Sequence, residues 1–230
     1  MKVRASLRRV HIWLGWVLII PFLLWTGSGL FMAAQPIEKV RGEDLVGKAP
    51  VLALSAPPVP PVIGPRPVAS LALEPRSNGP KWVIRYADGA TRLADPASGR
   101  LLPGLSARDA VQAVEARYTG DARITAVDRT SAEAPPVELR RPVDAWRVSF
   151  DDGTRFYVDA TTGDIIARRT NLWRVYDFLW GLHIMNLKTR DDFNTPLLIG
   201  FSALSFVTVL MALVLLPMTI RRRGSGKRRP

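Results

Sequence analysis

The sequence predicts a membrane protein in which two transmembrane helices flank an extracytoplasmic α+β domain, built from two β-hairpins and a helix. Residues 10–37 and 193–220 are each 28 residues long and contain no Asp, Glu, Lys or Arg. A bilayer core needs ~20 apolar helical residues, so both segments are long enough to cross it. Between them, a strand-turn-strand pattern occurs twice at a constant offset of 64 residues, which predicts the two hairpins.

The basic residues set the predicted orientation in the membrane. The chain carries a net charge of +12 over 230 residues, and ten of its 32 Lys and Arg lie in the tails 1–9 and 219–230, which hold no acid. Basic flanks remain in the cytoplasm, so both tails are predicted to be cytoplasmic and the central domain periplasmic, in a bacterial inner membrane. The lipid bilayer is therefore an expected partner. The rest of the chain is nearly neutral, so its net charge does not predict the basic face that nucleic acid binding needs, and no nucleic acid partner is expected.

The first transmembrane helix is predicted over residues 10–35. Trp13 and Trp16 lie near its cytoplasmic end, where indole rings are favoured at the membrane interface, and Pro21 predicts a kink near its middle. A cleaved signal peptide is the alternative, because the chain starts with basic residues and small residues follow the apolar stretch. That stretch is longer than the usual core of a signal peptide, which favours a retained helix.

A proline-rich spacer is predicted over residues 36–80. Nine prolines occur between residues 50 and 80. Such a composition favours extended, stiff backbone without a packed core. This segment is therefore expected to hold the folded domain away from the membrane.

The repeated segments are residues 82–101 and 146–165. In each copy an apolar strand reaches an Asp-Gly pair, a second strand follows, and an Asp-x-x-[Ser/Thr]-Gly turn ends it. The residues predicted to form these turns are Asp88, Gly89, Asp152, Gly153, Asp159 and Gly163. Asp and Gly favour turns for reasons of backbone conformation, so their predicted role is structural.

A helix and a further strand complete the predicted domain, which spans residues 81–170. Apolar residues keep a helical period over 107–118, and Ser106 with Asp109 has the spacing of a capping box. Residues 124–130 are predicted to form a strand. About 90 residues with strands segregated from one helix predict an α+β domain that is large enough for its own core.

An amphipathic helix is predicted over residues 171–190, ahead of the second transmembrane helix at 195–218. Its aromatic face carries Trp173, Tyr176 and Trp180. Aromatic side chains of this kind favour the headgroup region, so we expect this helix to lie in the outer membrane interface.

The distribution of reactive side chains argues against an enzyme. The only histidines are His11 and His183, and the chain contains no Cys. Both imidazoles lie in membrane-associated segments, so the central domain cannot form a His-based catalytic triad. Thiol chemistry and thiolate metal sites are excluded as well. We therefore predict no catalytic residue and no metal site, and we find no P-loop and no HExxH motif.

Three separated segments resemble the PepSY-associated transmembrane family. They are the opening RRVHIWLGW with PFLLWTGSGL, the turn YVDATTGDI, and LHIMNLKTRDDFNTPLL before the second span. The resemblance implies a small module that binds ligands or proteins, and some such domains are suggested to restrain peptidases. Larger members of the transmembrane group include haem-binding proteins that resemble ferric-siderophore reductases and have at least four spans. This sequence predicts only two spans.

The resemblance makes His11 and His183 candidate haem-binding residues, with haem b as the expected cofactor. Neutral imidazole is a standard axial ligand of haem iron. The two histidines are predicted at opposite membrane faces, ~30 Å apart, so one protomer cannot use both on one haem. A shared haem then requires a second copy of the chain or a membrane partner subunit. The alternative is that both histidines only contact lipid headgroups.

Two functions are expected from these observations. The first is an accessory or binding subunit in iron or siderophore handling, associated with haem; electron transfer of the ferric-reductase type follows only if haem is bound. The alternative is a regulator or inhibitor of an extracytoplasmic peptidase or envelope complex, which binds an envelope protein or peptide at the exposed edges of the hairpins.

Overall fold

A computed structural model describes residues 2–224 of the chain, with side chains up to residue 218. Within these residues the helices are α1 (Lys2–Ala34), α2 (Ile37–Val40), a short 3-10 helix (Glu43–Leu45), α3 (Ala107–Glu115), α4 (Asn171–His183) and α5 (Pro196–Gly224). The strands are β1 (Val68–Glu74), β2 (Lys81–Tyr86), β3 (Thr91–Ala94), β4 (Ile124–Thr130), β5 (Ala145–Phe150), β6 (Arg155–Asp159) and β7 (Ile165–Arg169). The end of the predicted C-terminal tail, residues 225–230, lies outside the described residues.

The chain divides into two compact units. Residues 36–174 form a central unit, and the described residues before 36 and after 174 form a helical unit. The predicted fold class is confirmed, because two apolar helices flank an α+β region that contains a helix and two sheets.

The helical unit contains the two candidate membrane spans, α1 and the Pro196–Met218 part of α5. Only 11% and 6% of their most apolar windows are buried, whereas the core helix of a soluble protein would be mostly buried. The two helices pack together through the rings of Phe22 and Phe201, whose centroids lie 5.3 Å apart. Pro21 lies inside α1, which continues as one helix on both sides of it.

Helix α4 ends at His183, before the predicted end at residue 190. Met185 has a φ of 54°, and the N–H of Asn186 donates to the carbonyl of Gly181 at 2.8 Å. The N–H of Met185 donates to the carbonyl of Leu182 at 3.1 Å. This pair of hydrogen bonds is a Schellman motif, which terminates the helix. Glycine usually occupies the left-handed position in such a motif, so the sequence carried no clear signal for this end.

In the central unit the strands form two antiparallel sheets, in the orders β1-β2-β3 and β4-β5-β6-β7. The two repeated hairpins are therefore present, but they belong to different sheets. Their registers correspond, since Trp82 is opposite Ala94 and Trp146 is opposite Val158.

Part of the predicted spacer is folded. Strand β1 pairs with β2 from Val68 to Glu74, with a bulge between Val68 and Ser70, and Val46 forms an isolated bridge with Tyr118. The N–H of Gly47 donates to the carbonyl of Arg117 at 2.7 Å. The prolines of residues 36–80 flank β1 without interrupting it. The composition of the whole segment therefore did not predict this short strand, which contains no proline.

The main core lies between α3 and the four-stranded sheet. Its buried residues are Ala110, Ala113, Val114, Val148, Phe150, Phe156 and Val158. Tyr118, Phe150 and Phe156 form a cluster of rings whose centroids lie 4.5–5.7 Å apart. The apolar face of α3 thus fixes the position of this helix on the sheet.

A polar cluster around Glu138 ties the loop before β5 to β6 and to the start of α4. Its carboxylate accepts hydrogen bonds from the Tyr157 hydroxyl at 2.6 Å and from Arg155 at 2.9 Å, and it lies 3.4 Å from Arg174 Nε. Burial alone raises the pKa of Glu138, but the hydrogen bonds from Tyr157 and Arg155 and the nearby guanidinium charges outweigh burial and lower this pKa. The Glu138 side chain is therefore ionised in the folded chain at neutral pH.

We predict that Glu138→Gln lowers the free energy of unfolding of the central unit at pH 7 by about 1–2 kcal/mol. The lowered pKa means that the stabilisation by ionised Glu138 is present above its ordinary value of 4.5 and is lost as the pH falls through the folded value. The difference between wild type and variant should therefore shrink below pH 4.5. Urea titration with pulse proteolysis of the full chain measures the free energy of unfolding of wild type and variant, both at pH 7 and below pH 4.5.

Glu133→Gln is the matched control for this prediction, because Glu133 is exposed in the same loop. Its free energy of unfolding should stay within about 0.5 kcal/mol of that of wild type, both at pH 7 and below pH 4.5. A gap between wild type and Glu138→Gln that stays constant down to pH 3 would contradict the assignment of the stabilisation to the ionised carboxylate.

Candidate functional site

The central unit contains a cavity of about 320 Å³ where the three-stranded sheet meets α3. It lies between the β1–β2 turn, the segment 102–105 that leads into α3, and the turn at 162–163. We call it the Lys81 cavity, and the lining residues that matter for its chemistry are Arg76, Lys81, Leu93, Leu102, Leu105 and Gln112.

Hydrogen bonds hold the segment 102–105 in place. The N–H of Leu105 donates to the carbonyl of Ala160 at 2.8 Å, and the indole N–H of Trp146 donates to the carbonyl of Leu105 at 2.9 Å. Gly163 has a φ of +76°, and a Cβ at this position would lie 2.9 Å from Leu105 Cδ2. Both the backbone conformation and the close approach of Leu105 therefore favour glycine at residue 163.

The start of α3 forms another wall of the cavity. Ser106 and Asp109 form the predicted capping box, in which each side chain accepts from the backbone N–H of the other residue. Two hydrogen bonds from Ser106 lower the pKa of Asp109. The bond from the Ser106 side chain has the larger effect, and the bond from its backbone N–H has the smaller one. This carboxylate is thus ionised and engaged in capping the helix.

The two cations of the cavity differ in their partners. Arg76 donates to Glu74 at 2.9 Å and also pairs with Asp164, so its charge is balanced. Lys81 donates one long hydrogen bond of 3.4 Å to the carbonyl of Asn78, and no carboxylate of a described residue lies within ion-pair distance of its ammonium. The Lys81 cavity therefore combines an ammonium group that forms no direct ion pair, although its charge acts on Asp95 at longer range, with an apolar wall of leucines.

The turn residues predicted from the sequence lie at the ends of the hairpins. Gly89, Gly153 and Gly163 all have positive φ. The carboxylates of Asp88, Asp152 and Asp159 accept hydrogen bonds from backbone N–H groups two residues further on, at 2.8–3.1 Å. Only Gly163 of these residues also lines the cavity. Sequence reasoning did not identify Lys81 or Leu105 as functional candidates.

His183, the last residue of α4, contacts α1. Its Nδ1 lies 3.0 Å from the carbonyl oxygen of Trp25 and 3.1 Å from Ser28 Oγ. Its ring stacks on the Trp25 indole with centroids 4.7 Å apart. A Cβ on Gly29 would lie 3.1 Å from His183 Cε1, so glycine makes room for the imidazole.

The structure does not bring His11 to His183. His11 precedes Trp25 by 14 residues and Ser28 by 17 residues in the same helix, which is about 20–25 Å at the rise of an α-helix.

An Nδ1–H that donates to a carbonyl leaves Nε2 free as a ligand, so His183 is suited to one axial bond to haem iron. Residues 2–218 contain no group of three or more His, Asp or Glu side chains that could hold a metal ion.

The predicted interfacial aromatics have different surroundings. Trp13 and Trp16 are 68% and 71% exposed on α1. Trp180 instead donates its indole N–H to the carbonyl of Arg190 at 3.1 Å. In the central unit, the ring of Trp173 lies 4.2 Å from the Arg169 guanidinium. Tyr176 is half-buried on α4.

Residues 104–169 match the model of the PepSY family, described as "Peptidase propeptide and YPEB domain". The match covers α3 and the four-stranded sheet, and the first hairpin and β1 lie before it. No curated protein matches the chain, and no solved structure does. The chain therefore contains a PepSY domain, of the peptidase-propeptide kind, between two apolar helices that fit a membrane protein.

Proposed function

We propose that this PepSY-containing chain is a membrane-anchored binding module that receives a peptide segment of an envelope protein, such as an extracytoplasmic peptidase, in the Lys81 cavity. The observation that carries the proposal is the Lys81 ammonium beside the leucine wall, which has one long hydrogen bond to a carbonyl and no direct ion pair. The charges of the two tails favour a periplasmic location for the central unit, where such partners occur.

The size of the cavity favours a peptide segment. At about 320 Å³ it lies at the small end of the usual range for ligand pockets, so it accommodates one or two side chains of a partner. The charge of Lys81 favours a carboxylate, either of Asp or Glu or of a chain terminus. The side chains of Leu93, Leu102 and Leu105 favour an apolar residue next to that carboxylate.

The position of the cavity gives the first sheet a role in binding. Gln112 and the turn at 162–163 belong to the PepSY domain, whereas Lys81 belongs to β2. The ion pair between Arg76 and Asp164 links the two parts. A peptide in the cavity would therefore contact the PepSY domain and the preceding sheet together.

Site-specific photocrosslinking in native membranes tests this function. A photoreactive phenylalanine derivative in place of Gln112, which is exposed at the cavity, should crosslink the full chain to a discrete envelope protein. Lys81→Glu should abolish this crosslink, and Lys81→Arg should retain it, because only the former reverses the charge.

The same derivative in place of Thr125 is the matched control. Thr125 is exposed on β4, the outermost strand of its sheet, and should give no crosslink. Crosslinking from Thr125 alone would instead identify the strand edge as the binding surface, through strand addition. Crosslinking from Gln112 that is unchanged by Lys81→Glu would overturn the proposed role of the cavity.

A haem-associated accessory role in iron or siderophore handling is a second candidate, and the environment of His183 favours it. The contacts of Nδ1 with Trp25 and Ser28 orient the ring and reserve Nε2 for a ligand. One His183 from each of two copies, or His183 with a ligand from a membrane partner, would complete the axial coordination. Bound haem would supply one-electron transfer.

Absorption spectroscopy of the purified full chain tests this second function. We expect a Soret band that His183→Ala removes and that Gly29→Val weakens, because a larger side chain displaces the imidazole. A preparation without a Soret band after growth with haem precursors, or a band that survives in the double variant His11→Ala, His183→Ala, would rule this role out.

A further inference from the structure

A second concave surface lies in the helical unit, between α1, the start of α5 and the turn that follows α4. This groove has a volume of about 550 Å³. Its apolar walls are formed by Ile20, Leu24, Leu182, Met185, Leu187 and Leu197. Among the described residues, α1 and the Pro196–Met218 part of α5 are the candidate membrane spans, so in a membrane this groove would face lipid.

The turn that closes the groove has a defined structure. The Asn186 side chain donates to Thr189 Oγ1 at 2.8 Å, and Arg190 donates to the carboxylate of Asp177 at 2.6 Å. Gly181 leaves space for Arg190, since a Cβ on this glycine would lie 2.8 Å from Arg190 Cγ. The groove is therefore preorganised by contacts within the helical unit.

One cation at the groove is uncompensated. Lys188 lines the groove and is exposed, and among the described residues no carboxylate lies within ion-pair distance of it. The segment 186–194 carries two basic and two acidic residues, so it has no general positive field. Selection of an anion at this position must then come from the local contact with Lys188.

We infer that this groove binds an anionic phospholipid, with one acyl chain against the leucine and isoleucine walls and the phosphate on Lys188. An amphiphile matches the juxtaposition of a long apolar surface and a single ammonium. A lipid without net negative charge would fill the walls equally well but would gain less from Lys188. The inference does not depend on the proposed function of the central unit.

Lipid retention measured by native mass spectrometry tests the inference. The full chain is reconstituted in vesicles of phosphatidylcholine and phosphatidylglycerol at a ratio of 4:1, extracted in mild detergent and analysed for bound lipid. We expect retained phosphatidylglycerol in excess of its share in the vesicle. Lys188→Gln should reduce this preference about fivefold, the effect of one lysine near an anionic lipid, and Lys188→Arg should preserve it.

Two further variants separate the groove from general membrane charge. Lys39→Gln removes an exposed lysine shortly after α1 that does not line the groove, and it should leave the preference unchanged. Leu24→Trp or Leu197→Trp should fill the groove and reduce retention of both lipids, in preparations whose helical circular dichroism equals that of wild type. Equal retention of the two lipids by wild type, or a preference that survives Lys188→Gln, would overturn the inference.

Discussion

Phe156→Ala should lower the free energy of unfolding of the central unit by about 3–5 kcal/mol, the usual cost of truncating a fully buried Phe. Phe156 is 0% exposed, and its ring meets those of Phe150 and Tyr118 edge-on, at centroid distances of 5.5 Å and 5.7 Å. Truncation therefore leaves a cavity under α3, and it removes two aromatic contacts as well.

Urea titration with pulse proteolysis of the full chain in detergent measures this loss. Val137→Ala is the control, since Val137 is 61% exposed in the same unit and its truncation should change stability by less than about 0.5 kcal/mol. Because α3 also forms a wall of the Lys81 cavity, Phe156→Ala should weaken crosslinking from Gln112. A loss below about 1 kcal/mol would show that the ring cluster can collapse around the missing side chain.

Asp177→Ala should destabilise the helical unit by about 3 kcal/mol, the lower end of the cost of leaving one charge of a buried ion pair without its partner. Asp177 is 6% exposed, and Arg190 donates to its carboxylate. Arg190 also has a φ of 59°, a conformation that costs free energy outside glycine. The ion pair is thus expected to hold the turn after α4 in a conformation that the backbone alone disfavours.

Unfolding in mixed micelles of dodecyl maltoside and dodecyl sulfate, followed by tryptophan fluorescence, measures this effect. Asp191→Ala is the control, since Asp191 is an exposed carboxylate of the same turn. The double variant Asp177→Ala, Arg190→Met should be less destabilised than Asp177→Ala alone, because it leaves no uncompensated charge. A double variant that is as unstable as the sum of its two single changes would show that the pairing itself contributes nothing.

The two predictions concern features that differ in how far the sequence reveals them. Phe156 lies in a short run of three apolar residues after an Asp-Gly turn, so its hairpin follows from neighbouring residues. The ion pair of Asp177 and Arg190 joins residues on the two sides of a helix end. That end depends on Met185 in a left-handed conformation, for which the local sequence gives no signal.

The same division holds for the candidate sites. Lys81, Leu105 and Gly163 meet in one cavity although at least 24 residues separate each from the next along the chain. The interpretation of residues 36–80 as a spacer rested on an average composition, and it missed the short strand β1 that forms one edge of the first sheet. His183 could be singled out from the sequence, whereas its contact with Trp25 could not.

By itself the sequence determined the two apolar helices, the hairpins and the capped helix α3, because uncharged runs, Asp-Gly turns and a capping box act over a few neighbouring residues. Only the tertiary structure decided which charges are paired, which glycines make room for another side chain and where a cavity opens. Those properties depend on contacts between residues far apart in the chain, and local patterns carry no information about the distances between them.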